Sequence, residues 1–389
     1  MSEIRAVPRA AEYVHAAARR RWHTVLLAFL LCLSLVGVGG LFYYRSLNSR
    51  IRRDDGYYFP EEIGPEKPER TDSIPADLGE VDESRLEQAL RAWAKGEGVA
   101  PLEDRNVLNI LLCGVDTQTG DARGGPADAI LLVSVNRKRR TVALTSILRD
   151  SCSYIDLSLD PKNPRAELGR VAAAHALGGP ATLMETLSAD YKIHIDDYVC
   201  VDFSSFPKVI DALGGVTLDV SRAEAGYINR TVPGVKGQFP WGGAVRLTGE
   251  QALLYSRVSQ ADGDRAARQQ RLLLAILDSA RQSSPGEIVK ALTRALRQVR
   301  TTSLTENDVT DLAKEALTQG WLNYSITQLR TPVLSGEEGA AAGLSADVNG
   351  RRMWIVDYAR EAPRLQEAIY GYTNIEDGKG EDYVASLFK

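Results

Sequence analysis

The chain is poor in the residues that build soft-metal and nucleophilic sites. It has four cysteines and four histidines in 389 residues, and no two cysteines form a C-x-x-C pair. That spacing speaks against a zinc site. No G-x-S-x-G string is present, so nothing supports an acyl-enzyme mechanism. Neither G-x-G-x-x-G nor a Walker P-loop occurs, which argues against a soluble nucleotide. A net charge of −4 provides no global basic field, so wholesale nucleic-acid binding is disfavoured and any anion site must be built locally. No internal repeat is visible. Cys113 and Cys200 lie in apolar, strand-like runs and read as small buried hydrophobes. A Cys152–Cys200 bridge stays open, and His175 and His194 look isolated, with ordinary surface or core roles.

What the chain does have begins with "TVLLAFLLCLSLVGVGGLFYY", residues 24–44, a run without charge. It is long enough to cross a hydrocarbon core of about 30 Å as a helix. Arginines flank it on both sides, so the positive-inside rule nearly balances. The short N-terminal tail favours a signal anchor with the larger C-terminal part exported; a cleavable signal peptide is the alternative. The expected organisation is a cytoplasmic tail (1–23), a transmembrane helix (24–44), an extracytoplasmic Pro-rich acidic stalk with a short helix (45–104), a catalytic domain (105–372) and a polar C-terminal tail (373–389).

Within the stalk, "SRLEQALRAWAKGEG" reads as an amphipathic helix with Ser84 as N-cap. Three strands then follow closely: "NILLCGV", "AILLVSVN" and "TVALTSIL", the last two joined by a turn at "NRKRR". Helices are expected at "ELGRVAAAHALGG", "PATLMETLSADYK", "SSFPKVIDALGG", "TGEQALLYSR" and "RAARQQRLLLAILDSARQ", interleaved with the strands "YVCVDF" and "VTLDV". "PGEIVKALTRALRQV", "TENDVTDLAKEAL" and "PRLQEAIYGY" are further helices, with a strand at "NYSITQLRTPV" and a glycine-rich loop after it. Strands and helices mixed at this density predict an α/β fold, a three-layer α/β/α sandwich around a central mixed sheet.

Three strings carry chemistry. "GVDTQTGDARGGPADAILL" sets Asp116 and Asp128 at opposite ends of a polar loop between two strands. In "SILRDS", Arg149 and Asp150 end an apolar strand. "YSRVSQADGDRAARQQR" supplies Arg257, Arg265, Arg268 and Arg271, and residues three apart on a helix share a face. Each string alone is also what a solvated turn or helix face would show. Together, separated carboxylates and arginines suit a phosphate-bound hard cation, because Mg2+ takes oxygen ligands and the planar arginine fork matches phosphate.

The order of "NILLCGVD", "ADAILLVSVNRKRRTVALTSILRD", "AAAHALGGP", "YVCVDFSSFPKVIDALGGVTLDV" and "LTGEQALLYSRV" followed by "GDRAARQQR" resembles the LytR-CpsA-Psr family of bacterial cell-envelope proteins, from Asn106 to about Arg271. The resemblance implies a membrane-anchored phosphotransferase that moves a glycopolymer, such as a teichoic acid or capsule polymer, from a polyprenyl pyrophosphate carrier to peptidoglycan. It implies Asp116 and Asp128 as ligands of Mg2+ or Mn2+, with Asp116, Asp128 and Arg149 catalytic. Arg149, Arg170, Arg257, Arg265 and Arg268 would bind the pyrophosphate, and a hydrophobic cavity would receive the lipid. Pro126, Leu148, Ala172 and Ser259 depart from the family's usual residues, and Arg123 is placed to compensate in part. Two other functions compete: a polyprenyl-phosphate or glycopolymer-binding envelope protein without turnover, and transcription control, for which the N-terminal tail is too short to hold a DNA-reading domain.

Overall fold

The computed structural model describes residues 77–96, 99–115, 125–157, 166–202, 204–231, 239–257, 262–334, 342–375 and 382–387. The expected transmembrane run lies outside them. No helix among the described residues is long and apolar enough to cross a membrane.

In chain order, the first half comprises β1 (Asp77–Glu80), α1 (Glu83–Ala94), β2 (Val107–Val115), β3 (Ala127–Asn136), β4 (Thr141–Ile147), β5 (Cys152–Asp156), β6 (Ala166–Arg170), α2 (Val171–Tyr191), β7 (Asp197–Asp202), α3 (Phe206–Ala212), β8 (Val216–Asp219) and α4 (Arg222–Thr231). The second half comprises β9 (Ala244–Leu247), α5 (Gly249–Arg257), α6 (Asp262–Arg281), α7 (Pro285–Leu296), β10 (Thr301–Thr302), α8 (Glu306–Gln319), β11 (Ser325–Thr331), β12 (Gly343–Val348), β13 (Arg351–Val356), α9 (Tyr358–Tyr370) and α10 (Asp382–Leu387). A six-stranded mixed sheet, ordered β10-β7-β2-β3-β4-β11, forms the centre. β2, β3 and β4 are an antiparallel meander, whereas β7 and β11 join its two sides in parallel.

All nine residues of β2 are buried, as expected of a strand covered on both faces. Side chains alternate between two cores. Leu131, Val133, Val142 and Leu144 pack with α3 to α8 on one face. Leu111, Ile130, Leu132 and Ala143 pack with α1, α2 and α9 on the other. The sheet therefore has helices on both sides, which is the expected mixed α/β arrangement.

Three local expectations are corrected, and a fourth, the break between two helices at the glycine pair before Pro180, holds. Asp82, not Ser84, caps α1, its carboxylate accepting from the Arg85 N–H at 3.1 Å. Leu86 and Leu90 of this helix are buried in the same core as β2. "AELGR" is strand rather than helix start, because it pairs antiparallel with β5. The helical stretch after it breaks at Gly179, whose φ of 81° suits only glycine, and resumes at Pro180. A hairpin, β12–β13, follows the expected glycine-rich loop, turning at Asn349 and Gly350, both with positive φ.

Asp190 ends α2 inside this core, and burial pushes its carboxyl up to about 7 against hydrogen bonds from Ser153 and Tyr358. A folded-state value above the unfolded one means the proton is held more tightly in the native chain. The resulting stability is complete below about pH 4 and is lost as pH rises through about 7. Asp190→Asn is expected to flatten that part of the stability profile, gaining on the order of 3–4 kcal/mol over the unmodified chain at pH 8. Urea midpoints at pH 5 and pH 8 check this; identical pH slopes for the two proteins would refute it.

Candidate active site

At the end of the sheet where β2 stops and β3 begins, the pairing slips by one residue. Gly114 faces Ala129 and Val115 faces Ala127, which leaves Asp128 as the extra residue of a β-bulge. A bulge re-aims the side chain it carries. Here the Asp128 carboxylate meets Arg149, with Oδ1 2.6 Å from Nη1.

Arg149 and Asp150 follow β4 in a tight turn closed by the Ser151 N–H on the Leu148 carbonyl. Their backbone is pinned from two other elements: Ala172 of α2 donates to the Arg149 carbonyl, and Trp354 of β13 donates to that of Asp150. The site thus borrows rigidity from two elements of the core that holds α1, α2 and α9. Asp150 also contacts Arg149 at 3.4 Å and Arg170 at 3.1 Å, so carboxylates and guanidiniums alternate along one line. The α2 N-terminus abuts this line and adds a partial positive charge.

Asp128, Ser146, Arg149, Asp150, Gln269 and Trp354 line a cleft of about 50 Å3. Asp128 and Arg149 are 11% and 25% exposed, enough shielding to raise their attraction above that of a surface pair without the full cost of burial. The two carboxylates and two arginines cancel formally, so an incoming diphosphate must compete with Asp128 and Asp150 for the guanidiniums. Its greater charge density favours that exchange, and a cation on the released carboxylates would complete it. The carboxylate and hydroxyl donors are all oxygen, which fits Mg2+ or Mn2+ and not a soft metal.

Sequence reasoning is met unevenly here. Asp128, Arg149 and Arg170 come together. Asp116 and Arg123 lie outside the described residues. Arg257 ends α5 and Arg265 lies in the first turn of α6, where the backbone alone is described. Arg268 and Arg271 do share a face, but Glu224 of α4 sits on it, 3.3 Å from Arg268 and 2.7 Å from Arg271. Both guanidiniums also lie near the Tyr255 ring, at 5.8 and 5.6 Å. Arg268 keeps one buried N–H group, Nη1, without a partner among the described residues. Gln269, Gln270 and Trp354 were missed. Gln270 ties α6 to the sheet, donating to the Ser146 hydroxyl at 3.1 Å and the Leu329 carbonyl at 3.0 Å.

A second, apolar cavity of about 320 Å3 lies between sheet and helices, lined by Val133, Leu144, Ile276, Leu277, Leu292 and Trp321 among others. It is close to the polar cleft along two elements. Leu144 is two residues from Ser146 on β4, about 7 Å, and Ile276 is seven residues from Gln269 on α6, about 10 Å.

A model of the LytR_cpsA_psr family matches residues 78–362. The chain belongs to this family. Within the LytR_cpsA_psr family it is 31% identical over 189 residues to the polyisoprenyl-teichoic acid–peptidoglycan teichoic acid transferase TagV of Bacillus subtilis, a match covering 47% of this chain and 46% of TagV. The chain spans about half the length of the first curated relatives it matches. The crystal structure of B. subtilis TagV superposes with a TM-score of 0.52 at 24% identity, covering 70% of this chain and 100% of that one. A structure of TagT bound to LI-WTA gives a TM-score of 0.50 at 23% identity, covering 71% and 95%. These superpositions establish the shared mixed α/β fold.

A further contact corrects the reading of the cysteines. Cys113 and Cys200 are direct partners across β2 and β7 and form a disulfide, with Cα atoms 4.6 Å apart. Cys152 is buried and is the free thiol among the described residues, so no Cys152–Cys200 bridge forms. His175 is not isolated either: its ring lies beside the two sulfurs.

Proposed function

We propose that this chain is a membrane-anchored, extracytoplasmic phosphotransferase that moves a glycopolymer from a polyprenyl pyrophosphate to peptidoglycan. The observation that carries the proposal is the pairing of an arginine–carboxylate cleft with an apolar cavity two turns farther along α6. A diphosphate needs the first and a polyprenyl tail the second. The names of the relatives, which pair a polyisoprenyl-linked teichoic acid with peptidoglycan, support the substrate class.

Arg149 and Arg170 take up diphosphate charge, and Arg257, Arg265 and Arg268 of α5 and α6 are the further candidates for it. A sugar hydroxyl of the acceptor attacks the phosphorus that bears the glycan. The bond from that phosphorus to the bridging oxygen breaks, and polyprenyl phosphate leaves with the electron pair. The hydroxyl proton passes to a carboxylate, for which Asp128 and Asp116 are the candidates. Asp116 and Asp128 would hold Mg2+ or Mn2+, which would supply further neutralisation of the diphosphate charge. Preorganised guanidiniums matter most as charge builds on the leaving phosphate.

The full chain in liposomes, given a labelled glycan on polyprenyl pyrophosphate and peptidoglycan, is expected to move label to the peptidoglycan. A reporter fused after Lys389 should be active only outside the cytoplasmic membrane. Donor binding without any transfer would instead establish a lipid-binding envelope protein, and a reporter active in the cytoplasm would overturn the topology.

A further inference from the structure

Cys113 of β2, Cys200 of β7 and His175 of α2 are all fully buried, and their ligand atoms lie within 4.8 Å of one another. The histidine fixes the chemistry. Its Nδ1 is 2.9 Å from the Gly125 carbonyl, which can only accept, so Nδ1 carries the proton. Nε2 is therefore a bare lone pair. It is buried and finds no hydrogen-bond partner among the described residues. Burial lowers the pKa of the ring, which keeps it neutral, and the Arg300 charge acts in the same sense.

A disulfide cannot satisfy that lone pair, because its sulfurs carry no proton. The oxidised cluster thus leaves an acceptor stranded in the core, a state that ordinarily costs about 1–3 kcal/mol. Two thiolates and a metal ion satisfy it. A histidine that donates one ring N–H to a backbone carbonyl and offers the other nitrogen to a cation is the usual arrangement at metal centres. Two thiolates and one imidazole suit zinc or another thiophilic cation and leave a fourth position open, unlike the all-oxygen cleft at Asp128.

We propose that Cys113, Cys200 and His175 form a second, thiophilic metal site in the reduced chain, which oxidation of the two cysteines closes. A small-molecule dithiol reduces the disulfide, becoming a disulfide itself while Cys113 and Cys200 each take up one proton. Zinc then displaces both thiol protons. Oxidation by an external disulfide reverses the sequence: two electrons leave the thiolate pair, the S–S bond re-forms, and the cation is released.

Cobalt(II) is the probe, added to the full chain in detergent after reduction by a dithiol and its removal. About one cobalt per chain is expected, with a thiolate-to-cobalt charge-transfer band that zinc bleaches. The band should be absent from the oxidised protein and from Cys200→Ser. His175→Asn, which keeps a polar side chain, should weaken cobalt binding at least about tenfold. Cys32→Ser and Cys152→Ser should each leave the band intact and control for the two other thiols of the full chain. Thiols that titrate fully but give no band would overturn the site, as would a band insensitive to the Cys200 and His175 variants. A disulfide that resists reduction in the folded chain would also overturn it. None of these readouts depends on glycopolymer transfer, so this inference and the proposed function fail separately.

Discussion

Arg149→Ala is expected to lower glycopolymer transfer about 10²–10³-fold, the usual consequence of removing one preorganised charge contact. The residue is held for that task by the Leu148–Ser151 turn and by the backbone bonds from α2 and β13. Asp128→Ala should also be impaired, but for a different reason. It removes the nearer of the two carboxylates on Arg149, 2.6 Å from its Nη1, leaves Asp150 as the other, and takes away a ligand that a cation needs. Excess Mg2+ should therefore restore part of the Asp128→Ala activity and little of the Arg149→Ala activity. Arg149→Lys, which keeps the charge and loses the fork, should fall between the unmodified protein and alanine. Unmodified rates in both alanine variants, together with indifference to chelation, would remove the cleft from consideration as the active site.

The second large effect concerns the apolar cavity. Each methylene buried contributes about 0.8 kcal/mol, so one five-carbon isoprene unit contributes on the order of 3–4 kcal/mol before ordering costs. Affinity for polyprenyl pyrophosphates should rise at least about a hundredfold between a one-unit and a several-unit tail, then level off once the cavity is full. Ala291 lines the cavity, and Ala291→Trp should fill part of it. The variant is expected to bind long and short tails alike while keeping its affinity for inorganic pyrophosphate. Titration of a chain-length series checks both proteins. Equal affinities for all tails in the unmodified protein would show that the cavity is not the lipid site.

The central meander was legible because each strand is an apolar run bounded by turn residues, and such runs in a two-sided sheet have few alternatives. The later helices were legible for the same local reason: Ser284 with Glu287 and Thr305 with Asp308 form reciprocal caps readable as spacing. What escaped depends on partners far along the chain. "AELGR" carries no strand signal of its own and becomes one by pairing with β5. Glu224 lies 44 residues from Arg268, so the arginine stripe looked purely cationic. Cys113 and Cys200 are separated by 87 residues and meet because β7 pairs in parallel with β2. Asn349-Gly350 is a readable hairpin signal; the preceding glycine-rich stretch obscured the strand leading into it. Of the site, residue types were readable and their pairing was not. The bulge that turns Asp128 toward Arg149 is a property of register, which no single strand encodes.

β1 lies parallel to β12, with Asp77 opposite Ser345 and Glu80 opposite Asp347, and it is the first described segment of the chain. Tension applied ahead of Asp77 would run along the strand axis and load this ladder in shear, so its hydrogen bonds would resist together and not open one by one. α1, seated in the core by Leu86 and Leu90, is the next element to bear the load. A domain tethered at this end would thus be mechanically coupled to its leash through β12 and β13, and the latter's Trp354 lines the charged cleft. A pull from that end would therefore load the β1–β12 ladder and α1 before it reached the central sheet.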